Sequence, residues 1–292
     1  MLARVLASLL ALAFSLQPTA YSSAAEPGAV LWSLKGKTNT VYLLGSVHFL
    51  SPAEQLPAAV NLAYEDAERL IMEIDMDDLD PSQAQEVTME LGMLPNGQTL
   101  ETQLDPATYA KVSEYAREIG LEPSLLSRFR PWLAALTLVQ LQIEKMGLDS
   151  SSGVEQRFVA RAAQDHKEIT GFETLREQLT IMASLPLAQQ REFLLYTVED
   201  TERATREIDE LISAWRRGDV TELSALLAEG FEKYPQLYRP LTVDRNRKWI
   251  APLEELLDDR DDYLVIVGAL HLVGTDSVIE LLEKRGHKVR RH

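Results

Sequence analysis

A chain of 292 residues, 46% of them hydrophobic, has enough apolar surface for one large buried core. Its formal charge of −16 argues against nucleic acid and anionic membrane surfaces as partners. With no cysteine, it has no disulfides, thiolate metal ligands, cysteine nucleophile or lipoprotein anchor.

Residues 1–25 read as a signal peptide. Arg4 supplies the positive start, and Val5 to Leu16 is apolar apart from Ser8 and Ser15. That run is too short to span a bilayer. Gln17-Pro18-Thr19 breaks it, and Ser23-Ala24-Ala25 places small residues at a cleavage site. Export to the periplasm or beyond is expected, leaving residues 26–292 as the folded part. No later segment reaches about 18 uninterrupted apolar residues, so no transmembrane span is expected in the mature chain.

Strand patterns follow. Val30 to Leu34 and Thr40 to Leu44 flank Gly36-Lys37-Thr38-Asn39, a hairpin signature. Leu70 to Ile74 and Glu168 to Phe172 are the next two. Tyr263 to Val267 is apolar throughout, as a strand covered on both faces should be. His287 to Arg290 is a short last strand, expected at an edge. Helical pattern fills Ala53 to Ala67, Val154 to Gln164 and Thr275 to Lys284. Strand, helix, strand in this order predicts an α/β fold with a mainly parallel sheet flanked by helices. Two stretches, about 79–150 and 186–240, carry helical pattern and proline but no strand signal; they are expected to be an inserted all-helical cap.

The strongest chemical signal is a two-fold echo. Tyr42-Leu43-Leu44-Gly45-Ser46-Val47-His48 and Val265-Ile266-Val267-Gly268-Ala269-Leu270-His271 each end an apolar strand in Gly-x-x-His. Chance supplies about 0.24 such matches in a chain with 14 Gly and 5 His, so the context of both matters. The glycine is expected to permit a turn that a Cβ would hinder. The histidine then lands at the carboxyl end of the sheet, where open α/β folds bind ligands. On neighbouring parallel strands the two imidazoles would converge on one ligand; otherwise each only caps its strand.

Acids lie near the same edge. Glu73, inside Ile71-Met72-Glu73-Ile74-Asp75, is costly to bury unless paired or metal-bound. Asp75 is read mainly as the start of an acidic loop. Glu155 opens a helix, where an acid also suits the helix dipole, and Glu173 follows the fourth strand. Arg245 and Asn246, in Asp244-Arg245-Asn246-Arg247-Lys248, are a substrate-orienting fork or a solvated helix face. His166, His287 and His292 lack the motif and are read as surface residues. His48, Glu73 and His271 would make an open site for a divalent ion such as zinc or manganese, which would acidify a bound water. The same groups would also serve a metal-free hydrolase with histidine as base.

This ordered set resembles the TraB/GumN family, related to the TIKI proteins. The residues that carry it are Leu43 to His48, Glu73 with Asp75, Ser152-Gly153-Val154-Glu155, Gly171-Phe172-Glu173-Thr174 with Gln178, Arg245-Asn246, and Val267 to Gly274. Ser46-Val47 stands where threonine and isoleucine are commoner. The resemblance implies an α/β fold similar to erythromycin esterases and to a haem-binding lipoprotein group. It also implies a metal-dependent proteolytic activity, with His48, His271 and Glu73 as ligands or catalytic groups. An exported, peptidase-like, metal-dependent hydrolase of a peptide or small molecule is therefore the first expectation. The alternatives are a metal-free esterase or amidase, or a binding protein for haem, a metal or a peptide, with Trp132, Tyr196 and Trp215 offering an apolar pocket.

Overall fold

The computed structural model describes residues 28–292 apart from 200, 233 and 234. The expected signal peptide, residues 1–25, lies outside the described residues. The strands are β1 (Leu31–Lys35), β2 (Thr40–Ser46), β3 (Arg69–Ile74), β4 (Ile169–Glu173), β5 (Tyr263–Gly268) and β6 (Arg290–Arg291). They form one mixed sheet in the order β4-β3-β5-β2-β1-β6. β4, β3, β5 and β2 are mutually parallel; β1 runs antiparallel to β2, and β6 to β1. The predicted α/β class is therefore the observed one.

Local chemistry explains the elements. In the β1–β2 hairpin Lys35 pairs with Thr40, and Gly36 N–H closes the loop on Asn39 O at 3.0 Å. β5 lies mid-sheet with every residue buried, which is why its run is continuously apolar. The last strand is two residues long and exposed at the sheet edge, shorter than its pattern suggested.

Helices α1 (Ala58–Asp66), α2 (Pro81–Gly92), α3 (Pro106–Glu118), α4 (Pro131–Lys145), α5 (Val154–Asp165) and α6 (Leu175–Ala183) come before α7 (Leu187–Glu199), α8 (Thr201–Arg216), α9 (Val220–Phe231), α10 (Asp244–Leu256) and α11 (Val278–Lys284). Asp80 and Asp105 cap α2 and α3, each followed by proline at the first turn, and Thr174 with Glu177 forms a capping box on α6. α1 starts five residues later than the periodicity predicts. Pro57 biases the residue before it away from helix, and residues 51–54 are instead tied down by Arg157, which donates to Ser51 O and Glu54 O.

The two stretches without strand pattern are helical, interrupted by isolated bridges at Leu50–Asp149 and Met93–Phe129. α4 and α3 pack on α7, and α2 packs on α6. Trp132, Tyr196 and Trp215 are all buried in this packing rather than lining the cavity described below. Trp215 Nε1 also donates to Gly45 O at 2.7 Å, fastening α8 to the end of β2. No helix among the described residues is long and apolar enough to cross a membrane.

Candidate functional site

Parallel strands share a carboxyl edge, and this one collects the chemistry. His48 follows β2, Glu73 lies near the end of β3, Glu173 ends β4, and His271 closes the short helical turn Ala269–His271 after β5. The first turns of α5 and α10 add Glu155, Arg245 and Asn246. The π-turn Arg239–Val243 immediately precedes α10.

Ser46 in β2 pairs with Gly268 in β5, so the two motifs are neighbours offset by one residue. Their glycines do not act as expected, since neither adopts a left-handed conformation. Gly45 is instead required by close approach. A Cβ there would lie 2.5 Å from Val30 Cγ1 and 3.0 Å from Ala269 Cα.

The histidines part company. His48 Nδ1 lies 2.6 Å from Glu155 Oε1, which also accepts from the Ser46 hydroxyl. Burial by itself would lower the His48 pKa, but the Glu155 carboxylate outweighs it and raises the value above 6.5. The His48 side chain is 22% exposed, and no protein group bonds its Nε2 among the described residues.

His271 is buried in a second network. Arg245 Nη1 faces its Nε2 at 3.0 Å and Asn246 Oδ1 faces its Nδ1 at 2.6 Å. Because arginine only donates, Nε2 accepts and Nδ1 carries the proton. Burial and then Arg245 push the His271 pKa down to about 3, so the ring is neutral. Trp249 lies against it, with ring centroids 4.7 Å apart.

Arg245 is the hub. It donates to Glu73 Oε2 at 2.5 Å, to both Glu173 oxygens at 3.1 Å, and to Leu241 O at 3.2 Å. Glu73 also accepts from Gly268 N–H at 2.8 Å and Gln178 Nε2 at 3.0 Å. Burial would raise its pKa, but Arg245, helped by the Gly268 N–H, holds it well below the carboxylate range. Glu173 accepts from Trp249 Nε1 at 2.7 Å, yet burial leaves its pKa raised.

His48, Glu73 and Glu155 line one cavity of about 220 Å³, walled otherwise largely by Phe49, Met72 and Ile266. That volume is below the roughly 300–1,000 Å³ of drug-sized pockets and suits a small apolar group.

All seven residues singled out in sequence thus meet at one sheet edge, in two sets: His48 with Glu155 at the cavity, and Arg245 with Glu173, His271, Asn246 and Glu73, of which Glu73 also lines the cavity. The expected metal trio does not stand as an open donor set. Arg245 occupies both His271 Nε2 and Glu73 Oε2, and no group of three or more His, Asp or Glu among the described residues is arranged to hold a metal. Asp75 stands apart, its pKa raised to about 6 by burial and by Asp77. His166 and His292 are exposed, and His287 pairs with Glu254.

Sequence reasoning missed Ser46 and Trp249, and gave Gln178 no role. Trp249 had a signal, since it lies one turn after Arg245 on the same helix face. Ser46 had none, because its partner lies 109 residues away.

Gly153 shows how tightly His48 is seated. Its ideal Cβ would come within 2.0 Å of His48 O and 2.5 Å of His48 C. Val154 N–H also donates to Val47 O at 3.1 Å, locking the start of α5 to the motif. Gly153→Ala is expected to destabilise the fold by about 1–3 kcal/mol in urea unfolding and to displace His48; wild-type stability would contradict this contact.

The site thus consists of a carboxylate-paired histidine on a small cavity, beside a buried arginine–glutamate network. The chain belongs to the TraB/PrgY/gumN family, which matches residues 30–291. It is 27% identical over 242 residues to the uncharacterized protein YbaP of Escherichia coli (strain K12), covering 82% of this chain and 87% of that one. YbaP of Shigella flexneri gives the same figures. An uncharacterized protein of Treponema pallidum (strain Nichols) is 23% identical over 283 residues, covering 88% and 80%. No solved structure matches the chain.

Proposed function

We propose that this chain is an exported hydrolase of small acyl compounds that activates water with the His48–Glu155 pair. One observation carries the reading: Glu155 engages His48 Nδ1 at 2.6 Å, no protein group among the described residues bonds its Nε2, and the residue lines the cavity. Neutral His48 takes a proton from water as the water oxygen bonds to the acyl carbon. The bond from that carbon to the leaving nitrogen or oxygen then breaks, and His48 returns the proton to the leaving atom. Arg245 keeps Glu73 ionised and in place beside the cavity. His271, neutral and bonded on both nitrogens, positions Arg245 rather than moving protons.

The metal-dependent version that the resemblance implies would need Arg245 to give up both His271 Nε2 and Glu73 Oε2. The observed donor set therefore favours the metal-free form. The test is hydrolysis of small apolar esters and anilides in excess chelator, with His48→Gln beside wild type. Activity that survives chelator and falls about 10²–10⁴-fold in the variant supports the reading. Activity that appears only with added manganese or zinc replaces it with the metal-dependent one. No hydrolysis in any condition overturns both.

A further inference from the structure

Gln178 has no role in the water-activating pair, yet it lines the cavity beside Glu73. Its Nε2 donates to Glu73 Oε2 at 3.0 Å. Glu73 receives Arg245 and Gly268 N–H as well, so it is a carboxylate that only accepts. That settles which way round the Gln178 amide stands: its NH₂ faces Glu73, and its Oε1 is on the other side. Among the described residues no donor reaches that oxygen.

Gln178 therefore brings to a cavity that His48 also lines an acceptor whose orientation Glu73 fixes. Phe49, Met72, Met76 and Ile266 supply apolar wall. The cavity carries Glu73 and Glu155 against the single imidazole of His48, which disfavours a substrate carboxylate.

We propose that Gln178 Oε1 accepts the N–H of the bond to be cleaved, making the site selective for uncharged, apolar amides over esters. The assignment rests on the hydrolase reading. An amide brings an N–H to that oxygen; an ester of the same shape brings a lone-pair oxygen and leaves both acceptors facing each other. The hydrogen bond that fixes the Gln178 amide runs to Glu73, so α6 transmits the orientation of Glu73 to the substrate.

The experiment compares isovaleryl p-nitroanilide with p-nitrophenyl isovalerate, which differ only in N–H against O. Each is measured as kcat/KM for the wild type and Gln178→Met. The variant is expected to lose about fivefold or more on the anilide beyond any loss on the ester. Equal losses on both substrates overturn the assignment, leaving Gln178 a positioning residue for Glu73. If Gln178→Met does not fold, as judged by its melting transition, Gln178→Asn carries the same comparison, because it keeps the amide but withdraws it by one methylene. If the wild type hydrolyses neither compound, the hydrolase reading fails by itself. Calorimetric affinity for the same pair then decides: a loss confined to the anilide supports the contact, and unchanged affinity for both overturns it.

Discussion

Arg245→Met is expected to destabilise the protein by about 3–5 kcal/mol at neutral pH, because it leaves Glu73 and Glu173 buried without their cation. Both carboxylates are under one-tenth exposed, so water replaces the guanidinium poorly. The loss depends on pH with a definite sign. In the wild type Glu73 is held below its unfolded value of about 4.3, so its contribution is present above that pH and is lost as pH falls through the folded value. Without Arg245, burial outweighs the remaining hydrogen bonds from Gly268 N–H, Gln178 and Trp249 and raises both acids. Their protonated forms are then favoured in the fold, and stability is lost as pH rises. Urea unfolding at pH 5 and pH 7.5 checks this: the variant should be the more stable at pH 5. Adding Glu73→Gln to Arg245→Met should recover part of the loss. A loss below 1 kcal/mol at pH 7.5 would show that the network does not depend on Arg245.

The second expected result concerns His48. Its pKa is raised by Glu155 against the effect of burial. As a base it works when neutral, so kcat/KM should rise with pH through an inflection above 6.5. In Glu155→Gln the largest raising charge is gone while burial, the largest influence, remains, which lowers the pKa. The inflection should then move below 6.5 while the maximal rate falls, since the ring also loses its orienting partner. NMR titration of the imidazole reads the same shift independently of substrate. An inflection that stays in place in Glu155→Gln would remove Glu155 from the base.

The same pair bears on stability in the opposite sense from Glu73. A histidine whose folded pKa is raised contributes below its unfolded value near 6.5, and that contribution fades as pH rises through the folded value. Acid therefore costs the protein its Arg245 network and alkali its His48 ion pair, which places maximal stability between them.

Threonine in place of Ser46 would keep a hydroxyl for Glu155. Either residue supplies the hydroxyl that Glu155 accepts, and Ser46 is fully buried where a further methyl must find space.

Much of this molecule was legible from residues taken in order. Strand positions came from short apolar runs, because a strand buried on both faces needs them and little else in a soluble chain does. The carboxyl-edge placement of His48, Glu73, Glu173 and His271 followed once those strands were read as parallel. The nature of the cluster, histidines with acids and one arginine, was likewise written in local motifs. Only the tertiary structure decided the pairings. His48 could not be assigned to Glu155 rather than Glu73, nor His271 to Arg245 and Asn246, because those contacts join residues 25 to 107 positions apart (155 − 48 = 107 for the widest) and depend on side-chain direction. The reason Gly45 is glycine was also tertiary: a packing contact from Val30 and Ala269, with no turn involved. The division of two like-looking histidines into a partly exposed one paired with Glu155 and a buried, neutral one beside Arg245 comes from burial and neighbouring charge, which local spacing does not record.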